Sequence, residues 1–94
     1  MKSIVIAAVL VAGMAATGAA SAQEALAKSS GCMNCHDIAT KKMGPAFKEV
    51  ASKNKGKADA EAKLVERVSG AKDHPKVTAS EADVKGIVKW VLSL

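Results

Sequence analysis

Cys32-Met33-Asn34-Cys35-His36 gathers two thiols and an imidazole into five consecutive residues of a 94-residue chain, and few folds can use such a cluster. These are the chain's two cysteines. A disulfide between positions only three apart closes a loop too short to stabilise much, so the cluster points to a bound group rather than a structural cross-link. The apolar residues point the same way. Residues 1–22 hold 16 of the 46, the other 72 residues hold 30, and 11 of those 30 are Ala. One Phe, one Trp and no Tyr complete the set. A chain this small with side chains this short buries too little surface to be comfortably stable alone; a cofactor, a metal, a disulfide or a partner should complete its core. The length also excludes a large catalytic domain.

The first 22 residues read as an export leader. Lys2 gives a positive start, Ile4 to Ala12 an unbroken apolar run, and Ala20-Ser21-Ala22 the small-x-small pattern cut before Gln23. A retained membrane anchor is the alternative, but nine apolar residues before Gly13 fall short of the ~20 that a spanning helix requires. Two units are therefore expected: a cleaved signal peptide, 1–22, and one domain, 23–94. The mature chain carries 13 Lys and Arg against 9 Asp and Glu, a net charge of +4.

Beyond the leader, apolar residues recur at three and four and nowhere alternate, which predicts an all-α domain of short helices. Gln23 to Ser30 is one, stopped by Gly31. Ala46 to Lys53 is the second, beginning at Pro45 and presenting Phe47, Val50 and Ala51 on one face. The third covers Asp59 to Ser69, with a Leu64, Val65 and Val68 stripe and Gly70 past its end. In the fourth, Ser80 and Asp83 form a capping-box-like start, and Val84, Ile87, Val88, Val91 and Leu94 form the buried face. The stretches Cys32 to Gly44 and Ala71 to Ala79 are expected to be irregular. They hold both cysteines and both histidines, and chemistry commonly sits on such loops.

A C-x-x-C-H string has a specific chemical use. Two thiols at this spacing can add across the two vinyl groups of one haem, and the next residue offers an imidazole nitrogen to the iron. A covalently held porphyrin would also supply the missing core. A thioredoxin-like redox pair would need a βαβ setting that the periodicity does not support. A zinc site from Cys32, Cys35, His36 and His74 has suitable ligand types, but adjacent Cys35 and His36 would strain a tetrahedral shell.

The sequence resembles the small bacterial class I c-type cytochromes from about Glu24 to Leu94. The resemblance rests on Gly31-Cys32-Met33-Asn34-Cys35-His36, on Lys42-Met43-Gly44-Pro45-Ala46-Phe47, on Ala58-Asp59-Ala60-Glu61-Ala62 and on Val88-Lys89-Trp90-Val91-Leu92. It implies about four short helices around one covalent haem c. Cys32 and Cys35 would carry the thioethers, His36 would be the proximal ligand, and the Pro45 carbonyl would accept from the other nitrogen of His36. Terminal helices crossing near Gly31 and Trp90 are implied as well.

On the other face of the iron the sequence departs from the family, which usually supplies a Met before the last helix. There is no Met after Met43. Met33 lies inside the attachment motif, and Met43, seven residues past His36, reads as an apolar packing residue. His74, in Asp73-His74-Pro75-Lys76, stands where that Met would be and becomes the expected sixth ligand. A solvated surface His74 with an open or water-filled site, or Lys72 or Lys76 as ligand, are the other options.

The resulting expectation is a periplasmic one-electron carrier, not an enzyme, with two histidines on the iron and a lower potential than its Met-ligated relatives. The rival is a haem protein with an open distal site for gas binding, sensing or weak peroxidase activity. Lys41 to Lys57 holds six Lys and one acid, Glu49. That run is either a solvated face or a docking patch for an acidic redox partner. Nucleic acid and, after leader removal, membrane insertion are not expected.

Overall fold

The computed structural model describes residues 20–94. The leader reading, residues 1–22, lies outside the described residues except for its last three. The described chain is helical, with no strand among these residues.

Helix α1 covers 20–29 and ends as its sequence predicts. Gly31 takes the left-handed conformation at φ 84°, and the Ser30 and Gly31 amides donate to the Leu26 and Lys28 carbonyls at 2.9 and 3.2 Å. Only glycine adopts that backbone without a Cβ penalty. A single 3-10 turn, Cys32–Asn34, follows directly. The sequence reading had expected irregular chain here; the glycine stop forces the backbone round, and the Cys35 and His36 amides both return to the Cys32 carbonyl.

Helix α2 is Phe47–Lys53. Its N-cap, Ala46, has no side chain to offer the orphan amides of the first turn, and loop carbonyls replace it. Phe47 and Lys48 amides donate to Asp37 and Ile38 carbonyls at 2.9 and 3.0 Å, which fastens the segment after His36 to the start of α2.

Helix α3 is Ala60–Ser69. Gly70 follows it, as expected, in an ordinary right-handed conformation. A Cβ at Gly70 would sit 2.7 Å from the Glu66 carbonyl oxygen. The left-handed turn falls instead on Ala71, at φ 51°, and again on Asp73, at φ 53°. Two such non-glycine residues on the approach to His74 mark a backbone held by its surroundings.

Helix α4, Glu81–Leu92, starts with the Asp83 amide donating to Ser80 Oγ at 3.2 Å. Replacing Ser80 by Ala should lower unfolding stability by about 1 kcal/mol, readable as a denaturant midpoint shift with unchanged slope. A larger loss or a changed slope would mean that Ser80 does more than cap.

α4 is the core helix, packing on both α2 and α3. Val84, Ile87, Val88, Trp90 and Val91 are buried on it. Leu94, expected on that face, lies past the helix end and is 41% exposed. The Leu64, Val65 and Val68 stripe of α3 is only half-buried, and Ala60 is that helix's buried residue. Ala27, Phe47, Ile87, Trp90 and Val91 form the central cluster, joined at its edge by Leu26, Cys32, Met33, Ile38 and Val50. Phe47 and Trp90 meet edge to face, with ring centroids 5.8 Å apart. The first and last helices touch where the Gln23 carboxamide lies on Gly86; a Cβ on Gly86 would come within 2.7 Å of it. Further along, Ala27 of α1 lies in one buried cluster with Ile87, Trp90 and Val91 of α4. No helix of the described residues is long and apolar enough to cross a membrane.

Candidate functional site

The site is built on the 3-10 turn and two loops. Cys32 and Cys35 stand at its start and C-cap, both free thiols and both half-buried, with Cys32 at the edge of the central cluster. Burial pushes the Cys32 thiol up from its usual value.

His36 follows, and three contacts fix its ring. Its Nδ1 lies 2.6 Å from the Pro45 carbonyl oxygen. A carbonyl only accepts, so Nδ1 carries the proton and Nε2 keeps the lone pair. Phe47 stacks on one face with centroids 4.9 Å apart at 25°. Gly44 closes on the ring so tightly that a Cβ there would stand 2.5 to 2.9 Å from three of its atoms.

The segment carrying Gly44 and Pro45 is itself tied to the attachment turn. The Gly44 amide donates to the Cys35 carbonyl at 2.7 Å, and Lys42 Nζ donates to the Met33 carbonyl at 3.0 Å. Gly44 therefore belongs to the site although sequence reasoning had treated it only as part of a supporting motif; its requirement is a through-space contact that no spacing rule reveals. Gly44→Ala should displace the His36 ring and cost about 1–3 kcal/mol of stability as overpacking does, with an altered haem absorption spectrum. An unchanged spectrum and midpoint would show that the ring has room to retreat.

His74 enters from the loop between α3 and α4, half-buried, with its Nδ1 2.7 Å from the Pro75 carbonyl oxygen. The same argument leaves Nε2 with the lone pair. The His36 and His74 rings are nearly parallel, at 8°, with centroids 6.2 Å apart. Two imidazole nitrogens on opposite sides of one metal ion, each about 2 Å from it, would put the ring centres roughly 6 Å apart. The two imidazoles therefore stand at a separation that one metal ion could span.

The loop bearing His74 is fastened to α3 by an ion pair between Lys72 and Glu66. The Lys72 ammonium holds the Glu66 carboxyl below its usual range. This tether is complete at neutral pH and is lost as the pH falls through that lowered value.

The other expected or weighed residues stand apart. Met43, read as a packing residue, is 89% exposed, because Gly44 and Pro45 turn inward on His36 and leave it on the outside. Lys72 is engaged by Glu66. Among the described residues no group of three or more His, Cys, Asp or Glu is placed to hold a metal ion. Of the six Lys between Lys41 and Lys57, Lys53 makes an ion pair, with Glu49 at 3.0 Å, and the other five make none among the described residues.

Comparison with known proteins agrees with this geometry. Residues 15–94 match the Cytochrome c family. Cytochrome c-552 of Hydrogenobacter thermophilus is 37% identical over 92 residues, covering 90% of this chain and 94% of the relative. Cytochrome c-551 of Pseudomonas aeruginosa is 42% identical over 77 residues, covering 74% of each. Among solved structures, the Class 1 cytochrome MtoD from Sideroxydans lithotrophicus ES-1 superposes with a TM-score of 0.64 at 37% identity, covering 78% of this chain and 92% of that one. With the C-x-x-C-H turn, the ordered His36 and the all-helical fold, these likenesses show that the chain belongs to the cytochrome c family, as a small class I member with one covalently attached haem c.

Proposed function

We propose that the mature chain, residues 23–94, is a periplasmic one-electron carrier whose haem iron is held between His36 and His74. The haem supplies the redox chemistry, and the chain's residues hold it and tune it. Cys32 and Cys35 anchor it through thioethers. The Pro45 and Pro75 carbonyls keep the proton of each imidazole on Nδ1, so both rings offer a lone pair. The observation that carries the reading is the near-parallel pair of imidazoles 6.2 Å apart.

With His36 and His74 both holding the haem, one-electron transfer would need little movement of either side chain between oxidation states. The two imidazoles also set the potential. A second imidazole donates more strongly than a thioether and stabilises ferric iron, so the midpoint should lie below that of Met-ligated relatives. A redox titration reading at or above theirs would contradict this. The reduced protein should also resist carbon monoxide; ready binding would establish the rival, an open distal site for gas binding, sensing or weak peroxidase activity.

Partner recognition follows from the surface. Lys41, Lys42, Lys48, Lys55 and Lys57 make no ion pair among the described residues, and the exposed Met43 offers an apolar contact beside Lys41 and Lys42. A basic rim around an exposed apolar residue suits short encounters with an acidic redox protein. The rate of exchange with such a partner should fall steeply as salt is raised from low to physiological strength. A rate indifferent to salt would leave these lysines as a solvated face.

A further inference from the structure

We propose that Trp90 of α4 is a positioning residue for the iron: acting through Phe47, it fixes the tilt of the His36 ring and thereby the midpoint potential. The inference rests on the reading of His36 as an axial ligand and is independent of what holds the other face of the iron.

The chain has one Phe, one Trp and no Tyr, and both aromatics are spent on a single run of rings that ends at His36. Phe47 stacks on His36 with centroids 4.9 Å apart at 25°. Trp90 then meets Phe47 at 5.8 Å and 80°. A stacked phenyl ring can slide and turn on a flat partner, whereas an edge-to-face contact has a preferred direction. Trp90 thus supplies the direction that the stack on His36 lacks. Its own place is secure. It is buried in one cluster with Ala27, Ile87 and Val91, and its carbonyl accepts from the Ser93 amide and hydroxyl at the last turn of α4. The Phe47 backbone is held as well, by its amide on the Asp37 carbonyl.

The electronic consequence runs through His36 Nδ1, which donates to the Pro45 carbonyl at 2.6 Å. That bond makes Nε2 a stronger donor, and a stronger donor favours ferric iron. Hydrogen bonds weaken as they bend, so the tilt of the ring governs how much of this effect is realised. An aliphatic side chain at position 90 leaves Phe47 free to turn and His36 free to tilt. The Nδ1–H bond then weakens and the midpoint rises.

Redox titration of the haem-loaded variants tests this, together with proton NMR of the ferric protein, where the ring protons of an iron-bound imidazole are shifted far outside the ordinary range. Trp90→Leu should raise the midpoint and move the shifted His36 signals, while Trp90→Phe, which keeps an aromatic edge, should restore both towards the unmutated protein. Phe47→Leu should act like Trp90→Leu, and the two together should do no more than Phe47→Leu alone. Trp90→Met, whose flexible chain refills the space, gives the same reading should Trp90→Leu fail to load haem. A midpoint and His36 signals unmoved by either aliphatic variant would overturn the proposal. So would a Trp90→Leu shift that persists in full beside Phe47→Leu. An unmutated protein without far-shifted His36 signals would overturn the ligand reading itself and the proposal with it.

Discussion

His74→Ala should convert the ferric protein from low-spin to high-spin and open the ferrous protein to carbon monoxide. The expectation follows from the donor inventory of the loop. His74 has its proton held by the Pro75 carbonyl, its ring parallel to His36, and no methionine after Met43 to replace it. Lys72 is tied to Glu66, which leaves Lys76 as the lysine of this loop with no ion pair among the described residues. The fold should survive, because His74 is half-buried and outside the central cluster. His74→Met gives the complementary result. A thioether in the same place should raise the midpoint on the order of 100 mV, within the span of about 0.8 V that axial ligands command. A His74→Ala protein that stays low-spin would show that another side chain holds the iron.

The second large effect concerns folding itself. The double substitution Cys32→Ala and Cys35→Ala should abolish covalent haem and, after any loose haem is extracted, most of the helical circular dichroism. A domain of this size has roughly 4–11 kcal/mol of stability in total. Its central cluster consists of five side chains, one of them Ala27, and among the described residues none of the large ones is completely buried. Losing a covalently held apolar porphyrin would take away more buried surface than such a cluster can replace. The single substitutions should be milder, each leaving one thioether. A doubly substituted, haem-free chain that keeps its helices and a cooperative melt would mean that α4 and its partners suffice alone.

Much of this was legible in the sequence because it is local. The C-x-x-C-H string, the Gly31 stop and the Ser80 cap each need only a few neighbouring residues to take their form. What escaped depended on approach from elsewhere in the chain. Gly44 reads as a loop glycine until the His36 ring is found against it, and Gly70 as a glycine past a helix end until the Glu66 carbonyl is seen where a Cβ would stand. Met43 was assigned to packing on polarity alone, but its two successors turn inward and leave it on the surface. Leu94 had the right period for the α4 face and lies beyond the last turn that could present it. His74 is an intermediate case. Its place in the sequence suggested a ligand, and the 6.2 Å separation from His36 supplies a physical reason for the suggestion.

The central claim is that two histidines hold the iron, and the low-temperature electron paramagnetic resonance spectrum of the ferric holoprotein tests it most directly. A low-spin signal with the anisotropy of two neutral imidazoles is the predicted result. A high-spin signal, or a low-spin one with thioether or amine character, would contradict it.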